Sequence, residues 1–248
     1  MPPAIQIDQI NKSFLSGRTT NYALNNLSLI IQKGEVFGFL GPNGAGKSTT
    51  IKLLLHFLRP DSGTMQIMGN TIGRDEFRHQ IGYLSEFPCF YDHLSATETL
   101  MLAGRLSGMS KNTLHIRIPE LLARMGLSDA ANRRVGGFSK GMKQRLGMAN
   151  ALIHNPQILI FDEPMSGLDP IGRHLIKDII LELKKLGKTI FFSSHILSDI
   201  QALCDRIGII HKGKLLYDGK LADFIQNDHL EDRFVAMIEE NDRAAISH

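Results

Sequence analysis

Tryptophan is absent from this 248-residue chain, and cysteine occurs only twice, at Cys89 and Cys204. Two distant cysteines without metal-ligand spacing exclude a disulfide framework and a cysteine metal site, and they point to a reducing, cytosolic setting. Charge of either sign is not concentrated anywhere. The 28 Lys and Arg against 25 Asp and Glu leave +3 with the ten histidines neutral, and no long basic run marks a nucleic-acid or lipid surface. No apolar run approaches the roughly 20 residues of a membrane span; the longest are pieces such as 158–161. The opening MPPAIQIDQI lacks the charged-then-apolar order of a secretory signal. Internal repeats and low-complexity segments are missing as well. A chain of this kind reads as soluble by itself, so a membrane process would need another chain to supply the membrane part.

What is present is ordinary globular composition, 43% hydrophobic and 21% charged. The length suits one large domain, or a domain with an inserted lobe. Segments 4–10 and 24–31 alternate apolar and polar residues and predict strands, with a turn at Lys33-Gly34. Residues 35–40 form an apolar run that enters GPNGAGKST, and 47–57 has helical spacing. RPDSG (59–63) reads as a turn, and short strands are expected at 64–68 and 81–84. From 94 to about 154 the pattern is helical, near 96–106, 113–125 and 140–153. This is an α-helical lobe inserted into an α/β core. Continuous apolar runs at 157–161 and 189–192 read as buried parallel strands, separated by an amphipathic helix over 170–186. Residues 206–217, with Lys212-Gly213 in the middle, predict a hairpin. After His229 comes one amphipathic helix (LEDRFVAMI) and a polar end expected to fray. The expected division is 1–228, with the lobe inserted at about 88–154, followed by a C-terminal helix and tail at 229–248.

Two stretches carry chemistry. In GPNGAGKST (41–49) the glycines Gly41, Gly44 and Gly46, with Pro42, Asn43 and Ala45, let successive backbone N–H groups turn toward one anion. The helix that follows presents its positive end to the same place. Lys47 supplies a point charge to β- and γ-phosphates. Ser48 is the hydroxyl expected on Mg²⁺, and Thr49 a second phosphate contact. The strand before and the helix after are the context such a loop requires. In the second stretch, Asp162 and Glu163 end the apolar strand at 158–161. There Asp162 is expected in the Mg²⁺ sphere and Glu163 is placed to orient or deprotonate an attacking water.

With these motifs in this order, the sequence resembles the nucleotide-binding domain of an ATP-binding cassette (ABC) transporter over roughly residues 5–224. FSKGM (138–142) sits at the family's LSGGQ-like signature. Ser139 can cap the helix starting there, and the resemblance implies that Ser139 and Gly141 act on ATP held by a second subunit. SGLD (166–169) corresponds to the family's interface-crossing loop, which includes Asp169. His195, after a buried strand in FFSSHILSD, matches the switch histidine; the other nine histidines read as structural. Phe14 stands at the adenine-stacking position. One departure is Glu86, where the family usually has glutamine; it still offers an oxygen to Mg²⁺ but adds a negative charge.

The resemblance implies a P-loop NTPase core of RecA type with a mostly parallel sheet, an N-terminal antiparallel β-subdomain and the inserted helical lobe. It further implies an ATPase using ATP and Mg²⁺, working as a homodimer or paired with a related ATPase subunit. An integral membrane permease would hold it on the inner face of the cell membrane, and FSKGM with Glu86 resembles members that serve two-component exporters. The competing reading is a soluble ABC ATPase acting on nucleic acid or the ribosome. It is disfavoured by the single cassette, the compact insert and the lack of cysteine motifs, so no nucleic-acid partner is expected. A kinase or GTPase would need neither the signature nor the switch histidine.

Overall fold

Where an apolar run can be covered on both faces, this chain makes a strand whose every residue is buried. The computed structural model describes residues 2–17, 19–73, 75–225 and 229–246. It divides into two compact units, 1–77 together with 191–248, and 78–190. The first unit opens with β1 (Ile5–Ser16), β2 (Thr19–Ile31), β3 (Val36–Leu40), α1 (Lys47–Leu54), β4 (Ser62–Ile67) and β5 (Asn70–Thr71). The second holds β6 (Ile81–Leu84), α2 (Ala96–Leu106), α3 (Lys111–Arg124), α4 (Lys140–Leu152), β7 (Ile158–Asp162) and α5 (Pro170–Lys185). Strand β8 (Thr189–Ser194) starts in the second unit and ends in the first. The first unit then adds α6 (Leu197–Leu203), β9 (Arg206–His211), β10 (Lys214–Lys220), α7 (Leu221–Ile225) and α8 (Leu230–Ile246).

The first unit contains the expected antiparallel sheet, in the order β2–β1–β4–β5. It also carries strands in the order β10–β9–β3–β8, with β3 and β9 parallel and β9 and β10 a hairpin. Lys212 and Gly213 take φ of 46° and 77°, the pair of positive angles that a two-residue hairpin turn of the primed type needs. All five residues of β3 are buried. Phe37 stacks on Phe191 at 6.0 Å and Phe39 meets the same ring at 5.3 Å. Between them Gly38 faces the other way, where a Cβ would lie 2.6 Å from Cys204 Sγ and 2.8 Å from Ile200. Cys204 is therefore a buried core thiol, in keeping with the packing habits of unpaired cysteine.

In the second unit the strand order is β8–β7–β6, and β6 runs parallel to β7 in the register Ile81↔Ile158 to Leu84↔Phe161. Helix starts are set by short polar side chains. Ser95 and Glu98 form a reciprocal capping box on α2, and Ser110, Ser139 and Asp169 cap α3, α4 and α5. Helix α4 lies on β6 through its smallest residues.

Four segments differ from the sequence reading. Strands β1 and β2 run on through 11–16 and 19–23, because their backbone ladder continues where side-chain alternation stops. The Asp61 carboxylate secures this hairpin, accepting from Lys12 Nζ and from the Ser13 N–H and hydroxyl. Those donors hold its pKa down at about 2. Helix α1 stops at Leu54, and His56 follows in the left-handed region (φ 56°). Helix α6 occupies residues read only as the stretch after a strand. The C-terminal end does not fray at 238: α8 continues to Ile246, tied by Asp242 to His211 and Lys212. The expected boundary at 228 lies outside the described residues.

Packing of α4 on β6 gives the first prediction. A Cβ on Gly82 would lie 2.1 Å from the Ala151 carbonyl and 2.8 Å from Pro156. Gly82→Ala should destabilise the chain by roughly 3 kcal/mol, read as a lower urea midpoint with unchanged slope.

Candidate functional site: a phosphate loop and a buried carboxylate pair

The phosphate loop is shaped by the absence of side chains at points where backbone closes in on it. A Cβ on Gly41 would sit 2.3 Å from the Ile210 carbonyl, and one on Gly46 would sit 2.7 Å from the Ala23 carbonyl. Gly44 and Gly46 also take φ of 79° and 118°, which L side chains resist. Ala45 donates its N–H to the Pro42 carbonyl and accepts from Gly213. Pro42 is half-buried, Asn43 and Gly44 are exposed, and Ala45, Gly46 and Lys47 are buried.

Helix α1 starts at Lys47 with no side chain capping it, so its N-terminal end follows directly on the loop. The Lys47 ammonium donates to the carbonyls of Gly41 (2.6 Å) and Pro42 (3.2 Å). Thr50 is buried and donates its hydroxyl to the Gly46 carbonyl, while Ser48 is exposed and Thr49 half-buried. Such a loop can hold an anionic phosphate chain. His195 follows β8 in the same unit with an exposed ring, and Phe14 is 42% exposed on β1 with Lys12 Nζ 5.5 Å from its centroid.

The carboxylates lie in the second unit. Because Leu84 and Phe161 are register partners in parallel strands, the chain leaves β6 and β7 side by side, with Glu86 and Glu163 each two residues beyond that pair. Asp162 and Glu163 are 7% and 8% exposed, buried for acidic residues, whereas Glu86 is half-exposed. The Tyr83 hydroxyl is pushed up to about 12, by burial first and then by the Asp162 carboxylate. Glu163 takes φ 49°, a left-handed conformation that costs a non-glycine residue on the order of 1 kcal/mol.

The same unit gathers the signature residues. Ser139 is exposed and accepts from the Met142 N–H at 3.2 Å, which opens α4. A Cβ on Gly141 would meet the Leu168 side chain at 3.5 Å, an ordinary contact distance. Asp169 accepts from the Gly172 N–H at 2.7 Å and opens α5. Gln144, fully buried on α4, donates to the Pro164 carbonyl at 3.1 Å and leaves its Oε1 without a partner. It joins the signature helix to the segment just past Glu163. Lys140 lies over the Phe87 ring at 5.1 Å, and Lys143 lies 3.5 Å from Asp92. These links bind α4 to the loop after Glu86.

The sequence reading missed Gln144 as a functional link. Its signal was the spacing of Gln144, Gly147 and Ala151, one helix face on which two small residues announce close packing. Of the other histidines, His154 reaches the Ile81 carbonyl at 3.0 Å and His211 reaches Asp242. The structural reading fits those two, whereas His79, His93, His115, His174 and His229 are exposed.

The description of the ABC transporter family matches residues 24–166. The chain is 44% identical over 229 residues to an ABC transporter ATP-binding protein of Nostoc, covering 90% of this chain and 68% of that one. It is 40% identical over 231 residues to the ABC transporter ATP-binding protein NatA of Bacillus subtilis, covering 92% and 94%. The chain belongs to the ABC transporter family. Within that family it is an ATP-binding domain with ATPase activity. It is also 44% identical over 214 residues to the bacitracin transport ATP-binding protein BcrA of Bacillus licheniformis, covering 85% and 67%. It spans 64% of the length of a 45%-identical ABC transporter ATP-binding protein of Synechocystis.

Among solved structures, an ATP-binding subunit of an ABC transporter superposes with TM-score 0.86 at 31% identity over 94% of this chain and 99% of that one. A dimeric ABC cassette in a post-hydrolysis state with ADP and Pi superposes with TM-score 0.82 at 27% identity, over 88% and 98%. The α/β P-loop architecture of the ABC cassette is thus shared. Among the described residues, no helix is long and apolar enough to cross a membrane.

The strained backbone at Glu163 can be weighed directly. Glu163→Gly should be about 1 kcal/mol more stable than Glu163→Ala, because both lose the carboxylate and only glycine relieves the left-handed angle. Paired urea melts of the two variants read the difference.

Proposed function

We propose that this chain is the ATP-hydrolysing subunit of an exporter, dimerising around two ATP molecules and driving a separate membrane permease from the cytoplasmic face. The reading rests chiefly on the exposed start of α4. Ser139 caps the helix yet satisfies one N–H only, and the positive end of a thirteen-residue helix is left for an anion from outside the unit. The dimeric cassette structure supports an anion carried by a second subunit. The partner is a second copy or a related ATPase subunit.

In this reading the backbone of Gly41, Pro42, Asn43, Gly44, Ala45 and Gly46, with Lys47 and Thr49, binds the phosphates, and Phe14 stacks on adenine. Lys47 would exchange its two carbonyl acceptors for phosphate oxygens. Ser139, Gly141 and Asp169 serve the partner's nucleotide. Ser48, Asp162 and Glu86 are the donors for Mg²⁺. The donor set suits that ion, being made of hydroxyl and carboxylate oxygens, the hard donors that magnesium takes. Magnesium keeps several waters and shares phosphate oxygens instead of needing a full protein cage. An ion held by these residues would supply positive charge against the phosphates.

Glu163 accepts the proton of the attacking water at its carboxylate, and its buried position raises the worth of that interaction over one in bulk solvent. His195 would reach the terminal phosphate and hold the attacking water. Residues 1–228 would form the cassette, with the lobe at about 88–154 and the 229–248 segment as an appendage.

The permease would dock on the second unit. There an apolar groove of about 420 Å³ is lined by Cys89, Phe90, Tyr91, Leu94, Leu102 and Leu106. Phe87, Tyr91 and Leu106 are 62%, 62% and 81% exposed around it. Exposed aromatic patches of this kind mark interaction sites. Export is supported by the FSKGM and Glu86 pattern, and a transport role by the likeness to the bacitracin transport protein.

Glu163→Gln should abolish hydrolysis, retain ATP binding and accumulate as a dimer in ATP, measured by phosphate release and light scattering. Full activity in that variant would sink the base assignment. Mixing Ser139→Ala chains with Lys47→Ala chains should restore activity at one of the two sites in the mixed dimer. Absence of any recovery would remove the shared-site geometry.

A further inference from the structure

Asp242 stands four residues before the end of α8, far in sequence from either motif. Its Oδ1 lies 2.6 Å from His211 Nε2 and 2.8 Å from Lys212 Nζ. Hydrogen bonds from the Lys212 ammonium first and the His211 ring next draw its carboxyl below the ordinary range. His211 is buried, and its Nδ1 has no hydrogen-bond partner. Asp242 is accordingly the anchor for the polar edge of this ring. A carboxylate accepts only, so Nε2 is the nitrogen that carries the proton.

The turn that Asp242 grips is the backing of the phosphate loop. Gly213 donates its N–H to the Ala45 carbonyl at 2.9 Å, and its own carbonyl accepts from Asn25 at 2.9 Å. The Ile210 carbonyl faces Gly41 where no Cβ would fit, and the Ile210 Cδ1 faces Gly46. Residues 210–213 therefore touch the loop at three of its positions. Lys212 holds a left-handed angle (φ 46°) that a lysine does not favour by itself, so the turn depends on ties from outside. Two of those ties end on one carboxylate. The other end of α8 is fixed separately, by buried Leu230 and by Arg233 over the Phe224 ring at 5.7 Å. Helix α8 also packs on α6, the helix that follows His195.

We propose that Asp242 is a positioning residue for nucleotide binding, acting through His211 and Lys212 on the turn that backs the phosphate loop. The C-terminal helix then sets ATP affinity without touching ATP. Displacing its last turns loosens the N–H groups that face the phosphates and leaves the carboxylates of the second unit alone. This rests on residues 41–49 being the nucleotide site.

The test uses the full chain and a fluorescent ATP analogue, with ATPase kinetics alongside. Asp242→Ala should weaken analogue binding by roughly 2- to 30-fold, the range for changes that act through an intervening network. KM for ATP should rise with kcat little changed, the pattern of lost binding shared by ground and transition states. Asp242→Glu, which keeps the carboxylate, should recover most of the affinity. In a His211→Ala/Lys212→Ala background Asp242→Ala should add little further loss, because the path is already cut. An Asp242→Ala chain with a lowered melting temperature but wild-type affinity and KM would overturn the proposal, as would full additivity with the double variant. If wild-type and Lys47→Ala chains bind the analogue equally poorly, the nucleotide-site reading itself falls and takes this one with it.

Discussion

Between Gly41 and the Ile210 carbonyl there is no room for a methyl group, and the same holds between Gly46 and the Ala23 carbonyl. This close approach of backbone to backbone is the constraint from which the first unit's site follows. It presses the loop against two segments that are distant in sequence and fixes the direction of its N–H groups. Lys47 is placed by the loop's own carbonyls. A phosphate site built this way is rigid because main chain cannot change rotamer. It also inherits any movement of the segments behind it, so the 210–213 turn matters to it.

The second unit solves a different problem, which is to keep two carboxylates nearly buried at a strand end. Parallel pairing of β6 and β7 makes Leu84 and Phe161 neighbours, with Glu86 and Glu163 each two residues further along the chain. Helix α4 packs on β6, where a Cβ on Gly147 would lie 2.6 Å from Leu84 and 2.8 Å from Pro88. Gln144, Lys140 and Lys143 then tie that helix to the segment after Glu163 and to the loop after Glu86. A displacement of residues 87–92 reaches the signature helix through those contacts, giving a physical route from an apolar groove to the chemistry.

Much of this was legible in the residues. The buried strands β3, β7 and β8 announced themselves as unbroken apolar runs, since a strand covered on both faces has no polar side to show. Ser139 was readable as a helix start, because capping is local chemistry within four residues. Strands through 11–16 and 19–23 were not readable. Their pairing is made by backbone groups and by Asp61, which lies some fifty residues away from Ser13. The length of α8 was hidden for a related reason, its last turns being held by a salt link to a hairpin about thirty residues earlier.

The sequence by itself determined the chemical parts: a glycine loop with its lysine, a carboxylate pair after an apolar strand, a capped helix behind FSKGM, and membership in a family of ATPases. These are short-range patterns, and each is complete within a few residues. Tertiary structure alone decided that Ile210 and Ala23 wall the loop and that Leu84 pairs with Phe161. It also decided that Gln144 bridges to Pro164 and that Asp242 reaches His211. Each of those is a contact between segments whose side chains carry no mark of one another, set only when burial of the apolar strands brings them within reach.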